Sequence, residues 1–76
     1  MLVVNLKKLK KMRKEKMSLS EMSTKLGYRS PNGYFYLESG RNKITAETLA
    51  KLSEILNLPI QDFFEEVEDA DQNKND

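Results

Sequence analysis

Apolar residues recur along this 76-residue chain at helical rather than strand spacing. Leu6, Leu9 and Met12 follow Asn5, a side chain suited to capping a helix N-terminus, and predict a first helix over residues 6–15. Ser18 and Glu21 have the Ser-x-x-Glu spacing in which side chains and backbone amides cap one another. Leu19, Met22 and Leu26 then form one stripe that stops at Gly27, where the missing Cβ favours a left-handed exit, so a second helix spans 19–26. Ser30-Pro31 starts a third. The serine hydroxyl is expected to accept from an orphan amide, and proline at the first helical position forfeits no hydrogen bond. Tyr34 and Leu37 are its inward stripe; it ends near Ser39 and Gly40 closes it. Gly33 costs this helix about 1 kcal/mol relative to alanine, which predicts that another surface approaches closely there. After a loop at 41–44, Thr45 caps a fourth helix over 46–56, with Leu49, Leu52, Ile55 and Leu56 inward and Asn57 as its left-handed exit. Pro59 is read as the start of a fifth, short helix over 60–66 anchored by Phe63 and Phe64. No clear strand stands out, although residues 2–4 could extend or pair at a dimer edge. The expectation is a compact all-α, five-helix domain over 1–67 and an acidic, disordered tail over 68–76.

Composition narrows the function. The chain has no Cys and no His, so disulfides, thiol chemistry, imidazole bases and Cys/His metal sites are excluded. Asp62, Glu65 and Glu66 could be grouped as a metal cluster, but a carboxylate run near a chain end reads more simply as solvated surface. No enzyme activity, cofactor or metal is expected. No apolar run approaches the roughly 20 residues that span a bilayer, and no signal peptide is recognised, so the expected setting is cytoplasmic. The formal net charge of +1 hides a segregation. Residues 1–16 carry +6, residues 17–64 balance to zero, and residues 65–76 carry −5. A basic domain with an acidic end suits a polyanion partner; a solvated lysine face with a solubilising tail is the plainer alternative.

Two helices separated by Gly27 and a short turn form a helix-turn-helix candidate. The whole stretch 6–64 resembles the lambda-repressor-like, Cro/cI-type (XRE family) DNA-binding domain. Residues 9–16 (Leu-Lys-Lys-Met-Arg-Lys-Glu-Lys) look like that family's first helix, and residues 17–27 (Met-Ser-Leu-Ser-Glu-Met-Ser-Thr-Lys-Leu-Gly) like its second helix and turn. Glu38-x-Gly40-Arg41 resembles the end of its recognition helix. Glu47-Thr48-Leu49-x-Lys51-Leu52, Leu56-Asn57-Leu58 and Asp62-x-Phe64 resemble its last two helices. Two departures stand out. Leu19 takes a position where the family often has Gln, and the turn is one residue longer, with Arg29 as the extra residue.

On that register the resemblance implies that Asn32, Gly33, Phe35 and Tyr36, with Arg29 from the turn, face base edges in the major groove. Asn32 suits adenine, Tyr36 a base edge or phosphate, Phe35 a thymine methyl, and Gly33 would let the helix sit close. The reading helix has no Arg or Lys, so the commonest guanine contact is missing from within it. Core packing remains the alternative for Phe35, and solvent exposure for Asn32. Phosphate contacts are implied for Ser18 and Ser20, for Arg41, Asn42, Lys43 and Thr45, and for Lys14 or Lys16. Arg13 is implied to pair with Glu38 as a structural bridge.

The implied function is a bacterial or phage transcription regulator, a repressor that binds a palindromic double-stranded DNA operator as a homodimer. Its dimer surface is expected at Leu58, Ile60 and Phe63, joined by residues 2–4. An antitoxin or small antagonist of the same fold, working through protein–protein contacts and with the acidic tail as a possible partner site, is the alternative.

Overall fold

Each helix is delimited by the residues that can satisfy its free backbone groups. A computed structural model describes residues 1–68. The element order is β1 (Leu2–Val4), α1 (Leu6–Lys14), α2 (Leu19–Leu26), α3 (Pro31–Glu38), α4 (Ala46–Leu56), a 3-10 turn (Ile60–Phe63) and β2 (Phe64–Glu66). The Asn5, Ser18 and Thr45 side chains accept from the amides of Lys8, Glu21 and Thr48, three residues on in each case. Gly27 and Asn57 both take the left-handed conformation, with φ of 93° and 56°. Ser30 does sit at the N-cap of α3 and Pro31 at its first position, but the Ser30 hydroxyl makes no capping bond. Instead its carbonyl accepts from the Gly33 amide at 3.3 Å.

The core gathers one residue or more from every helix: Leu9, Met22, Tyr34, Leu37, Leu49, Leu52 and Leu56, closed by Phe63 from the 3-10 turn. Fully burying an apolar side chain of this size contributes roughly 1.5–3 kcal/mol. Leu6, Met12, Leu19, Leu26, Ile44, Ile55, Leu58 and Phe64 pack around this centre, half exposed. Each inward stripe expected from helical spacing therefore sends at least one residue into the core and packs the rest against it.

The all-α expectation is overturned. The described residues form a mixed α/β fold of four helices, a 3-10 turn and a two-stranded antiparallel sheet. Residues 60–66 do not make a fifth α-helix. One 3-10 turn follows Pro59, and Phe64 is already extended, with φ −106° and ψ 155°. A segment this short forms too few helical bonds to offset the ordering of its first turn. Its backbone groups are satisfied by β1, in the register Leu2↔Glu66, Val3↔Glu65 and Val4↔Phe64. Bonds from Asn5 N–H to the Phe63 carbonyl (2.8 Å) and from Val67 N–H to the Met1 carbonyl (3.0 Å) extend the ladder at both ends. Residues 2–4 thus pair within their own chain. The tail expected to be disordered lies outside the described residues from position 69 onward.

Phe63 is fully buried inside the single chain, whereas Ile60 beside it is 39% exposed. Phe63→Ala should therefore lower the unfolding free energy by about 3–5 kcal/mol, and Ile60→Ala by less than ~1 kcal/mol, in urea titrations followed by circular dichroism.

Candidate nucleic-acid interface

The geometry between α2 and α3 is set by one small polar residue. Ser23 is 1% exposed. Its hydroxyl donates to the Pro31 carbonyl at 3.0 Å and accepts from the Tyr34 amide at 2.9 Å, pinning the first turn of α3 to the middle of α2. The turn between them is closed by Gly27 N–H bonding the Thr24 carbonyl (3.0 Å) and Tyr28 N–H bonding the Ser23 carbonyl (2.9 Å). Sequence reasoning missed Ser23. Its signal was a small polar residue beside Met22 on the inward side of an amphipathic helix.

Tyr28 was missed as well. Its side chain lies directly against the backbone of Gly33, and a Cβ built on Gly33 would stand 2.7 Å from the Tyr28 Cβ and closer still to its ring. The close approach expected at Gly33 is real, but the neighbour is Tyr28 of the same chain. That glycine is the seat of a turn residue of its own chain.

The buried residues of α3 are Tyr34, Leu37 and Glu38. At 3.6 residues per turn the opposite side centres on Asn32 and Tyr36, one turn apart, with Phe35 and Gly33 on its two flanks. Asn32 and Phe35 are exposed and Tyr36 is half-buried. Tyr36 is half-covered because Arg41 lies over it, the guanidinium carbon 4.6 Å from the ring centroid. Phe35 leans toward the same ring, centroid to centroid 6.1 Å. The Asn42 amide donates to the Tyr36 carbonyl at 3.0 Å and ties the following loop to the helix. The structure thus gathers Phe35, Arg41 and Asn42 around Tyr36, with Asn32 one helical turn before it. Lys43 is exposed in the same loop, and Thr45 is occupied in capping α4. Arg29 is exposed in the turn just before α3. Ser18 and Ser20 are exposed at the start of α2, with the Ser18 hydroxyl engaged by the Glu21 amide.

Two of the lysines named with them sit elsewhere. Lys14 shares the outer side of α1 with Lys7, Lys10 and Lys11. The ammonium of Lys16 donates to the Leu56 carbonyl at the C-terminal end of α4, where the helix dipole favours a cation.

Beneath α3 lies a buried ion pair. Arg13 Nε and Nη2 donate to Glu38 Oε2 (3.1 Å) and Oε1 (2.7 Å), a two-pronged contact, and Nη1 donates to the Met17 carbonyl (3.2 Å). Both side chains are nearly inaccessible, 7% and 4% exposed. The hydrogen bonds to Glu38 hold the Arg13 guanidinium above its ordinary pKa, against the opposing effect of burial. Tyr34 lies beside the pair. Among the described residues its hydroxyl is the buried side-chain atom that meets no partner at hydrogen-bond geometry. Burial first, and the neighbouring Glu38 carboxylate second, push it well above the ordinary tyrosine value.

Among the described residues no three carboxylates converge on a metal-sized space, and no helix is long and apolar enough to cross a membrane. A helix-turn-helix family model matches residues 6–63. The chain belongs to that family, as an XRE-type helix-turn-helix DNA-binding domain. Such domains are non-catalytic DNA-binding modules of the kind found in transcriptional regulation. No curated protein and no solved structure matches the chain.

Two stability outcomes follow from this geometry. Gly33→Ala should destabilise the domain in thermal melts, although alanine is the better helix former by about 1 kcal/mol, because its Cβ meets the rigid near end of the Tyr28 side chain. Tyr34→Phe should raise the unfolding free energy at pH 7 by ~1 kcal/mol, since it removes an unsatisfied buried hydroxyl. The raised Tyr34 pKa contributes stability that is complete below the unfolded value of about 10 and lost as pH climbs beyond it. The phenylalanine variant should therefore lose less stability above pH ~10 in parallel urea titrations.

Proposed function

We propose that this chain is a sequence-specific regulator of transcription. It inserts α3 into the major groove and acts as a repressor by occupying its operator. The observation that carries this reading is the outward side of α3: Asn32 and Tyr36 stand on a helix fixed from behind by Ser23 and by the Arg13–Glu38 bridge. Asn32, Tyr36 and Phe35 are assigned to base edges, with Arg29 at the margin. Arg41, Asn42, Lys43 and Thr45 on one side, and Ser18 and Ser20 on the other, are assigned to the two phosphate backbones. Lys16 is left out of the phosphate set because its ammonium is engaged by α4. Lys14 joins the other α1 lysines as a source of general attraction to the polyanion.

A single small module gains affinity by pairing, and a two-fold protein matches a palindromic site with half-sites about 34 Å apart. Of the apolar residues considered for that interface, Phe63 closes the core. Leu58 and Ile60, with the exposed Leu2, remain at the surface for a second copy. The proposed setting is the cytoplasm of a bacterium or of a phage-infected cell.

Selection of bound duplexes from a random pool, at low and at moderate salt, tests this reading. A palindromic consensus is the expected result, and failure to enrich any sequence at low salt would sink it. On the enriched duplex, Asn32→Ala should cost about 1–3 kcal/mol and relax the preference at one position. Lys43→Ala should weaken all sequences alike and reduce the salt slope by about one, both read by fluorescence anisotropy.

A further inference from the structure

Four kinds of base-edge reader are available to a protein helix in the major groove. Arg or Lys recognises guanine, Asn or Gln recognises adenine, a carboxylate recognises the cytosine amino group, and an apolar side chain recognises the thymine methyl. Only two of these kinds are present on the outward side of α3. The helix contains one charged residue, Glu38, and that carboxylate is buried and fully engaged by Arg13. No acid is left to accept from cytosine, and the helix holds no cation for guanine. The nearest cation that follows it, Arg41, is laid on the Tyr36 ring, in a loop that the Asn42 amide fastens to α3. Asn32 is exposed, with both a donor and an acceptor free to meet the adenine N6/N7 edge.

Phe35 supplies the other reader. It is 42% exposed on a helix whose core contacts are already made by Tyr34 and Leu37, so its ring is not needed to close the domain. Its neighbour on the helix is the Tyr36 ring, which makes the patch around it aromatic. In the major groove, the thymine methyl is the apolar group that such a patch can cover.

We propose that the base pairs lying under α3 are A·T pairs, read by the Asn32 amide on adenine and by the Phe35 ring on the thymine methyl. The inference rests on the DNA-binding reading given above and names the class of half-site it selects. Tyr36, braced by Arg41, positions this surface and adds one hydroxyl that tolerates either pair.

The test uses the full chain and the duplex enriched from a random pool. Each thymine of the half-site is replaced in turn by 2′-deoxyuridine, which removes the methyl group and leaves every hydrogen-bonding edge intact. Loss of one buried methyl should weaken binding by about fourfold at one or two central positions. The same replacement should change binding by the Phe35→Ala protein by less than about twofold, while its salt dependence stays that of the parent chain. Because Phe35 lies outside the core, that variant keeps the fold, which circular dichroism verifies. A consensus with G·C pairs at the centre of each half-site, or deoxyuridine duplexes bound as tightly as thymine ones, would overturn the inference while leaving sequence-specific DNA binding intact. Enrichment of no sequence at all would remove both.

Discussion

The bridge between Arg13 and Glu38 is the contact on which the presentation of this surface depends. It joins the last turn of α1 to the last turn of α3, and its third bond, to the Met17 carbonyl, reaches the turn that leads into α2. One guanidinium therefore ties the end of α1 and the turn after it to the end of α3, 25 residues further along the chain. A pair this buried is weak evidence of net stabilisation, since removing two charges from water costs several kcal/mol each. What it provides is orientation. The planar fork accepts one arrangement of the carboxylate, and the end of α3 can rotate little without leaving a buried charge unpaired. Ser23 performs the matching task at the start of the helix. Between them α3 is held at both ends from the inside, while on its outer side Tyr36 carries Arg41 and the start of the following loop.

On the DNA-binding reading proposed, this arrangement separates attraction from choice. Exposed charge is placed around α3 rather than on it, since Glu38 is buried: Arg29 before, Arg41 and Lys43 after, and the lysine-rich α1 further off. Such groups give an affinity that falls with salt and is blind to sequence. On that same reading the exposed side of α3, with an amide and two aromatic rings, discriminates by hydrogen bonding and apolar contact. The chain's near-zero net charge conceals a segregation along the sequence, because residues 65–76 carry −5 against +6 in residues 1–16.

Much of this was legible from residue types whose effect is local. Asn5, Ser18, Thr45, Gly27, Asn57 and Pro31 each act on backbone groups within a few positions, and each does so here. The segment after Pro59 was not, because what decides between helix and strand there is a partner some sixty residues away. The β-branched Val3 and Val4 hinted at extension without saying with what. Gly33 announced that something pressed on α3 but not that the something was Tyr28, since a missing Cβ specifies a space and not its occupant. The contact of Lys16 with the end of α4 was hidden for a related reason: one more lysine in a basic run gives no sign of what lies within its reach.

The seat of Tyr28 on Gly33 also orders the changes this surface can accept over time. A side chain at position 33 would crowd the near end of the Tyr28 side chain, so one of the two must shift to admit it. A smaller residue at 28, by contrast, leaves the glycine tolerable and merely uncovered. A larger residue at 33 therefore requires residue 28 to shift or be replaced as well, so the two positions are tied in how this surface can change.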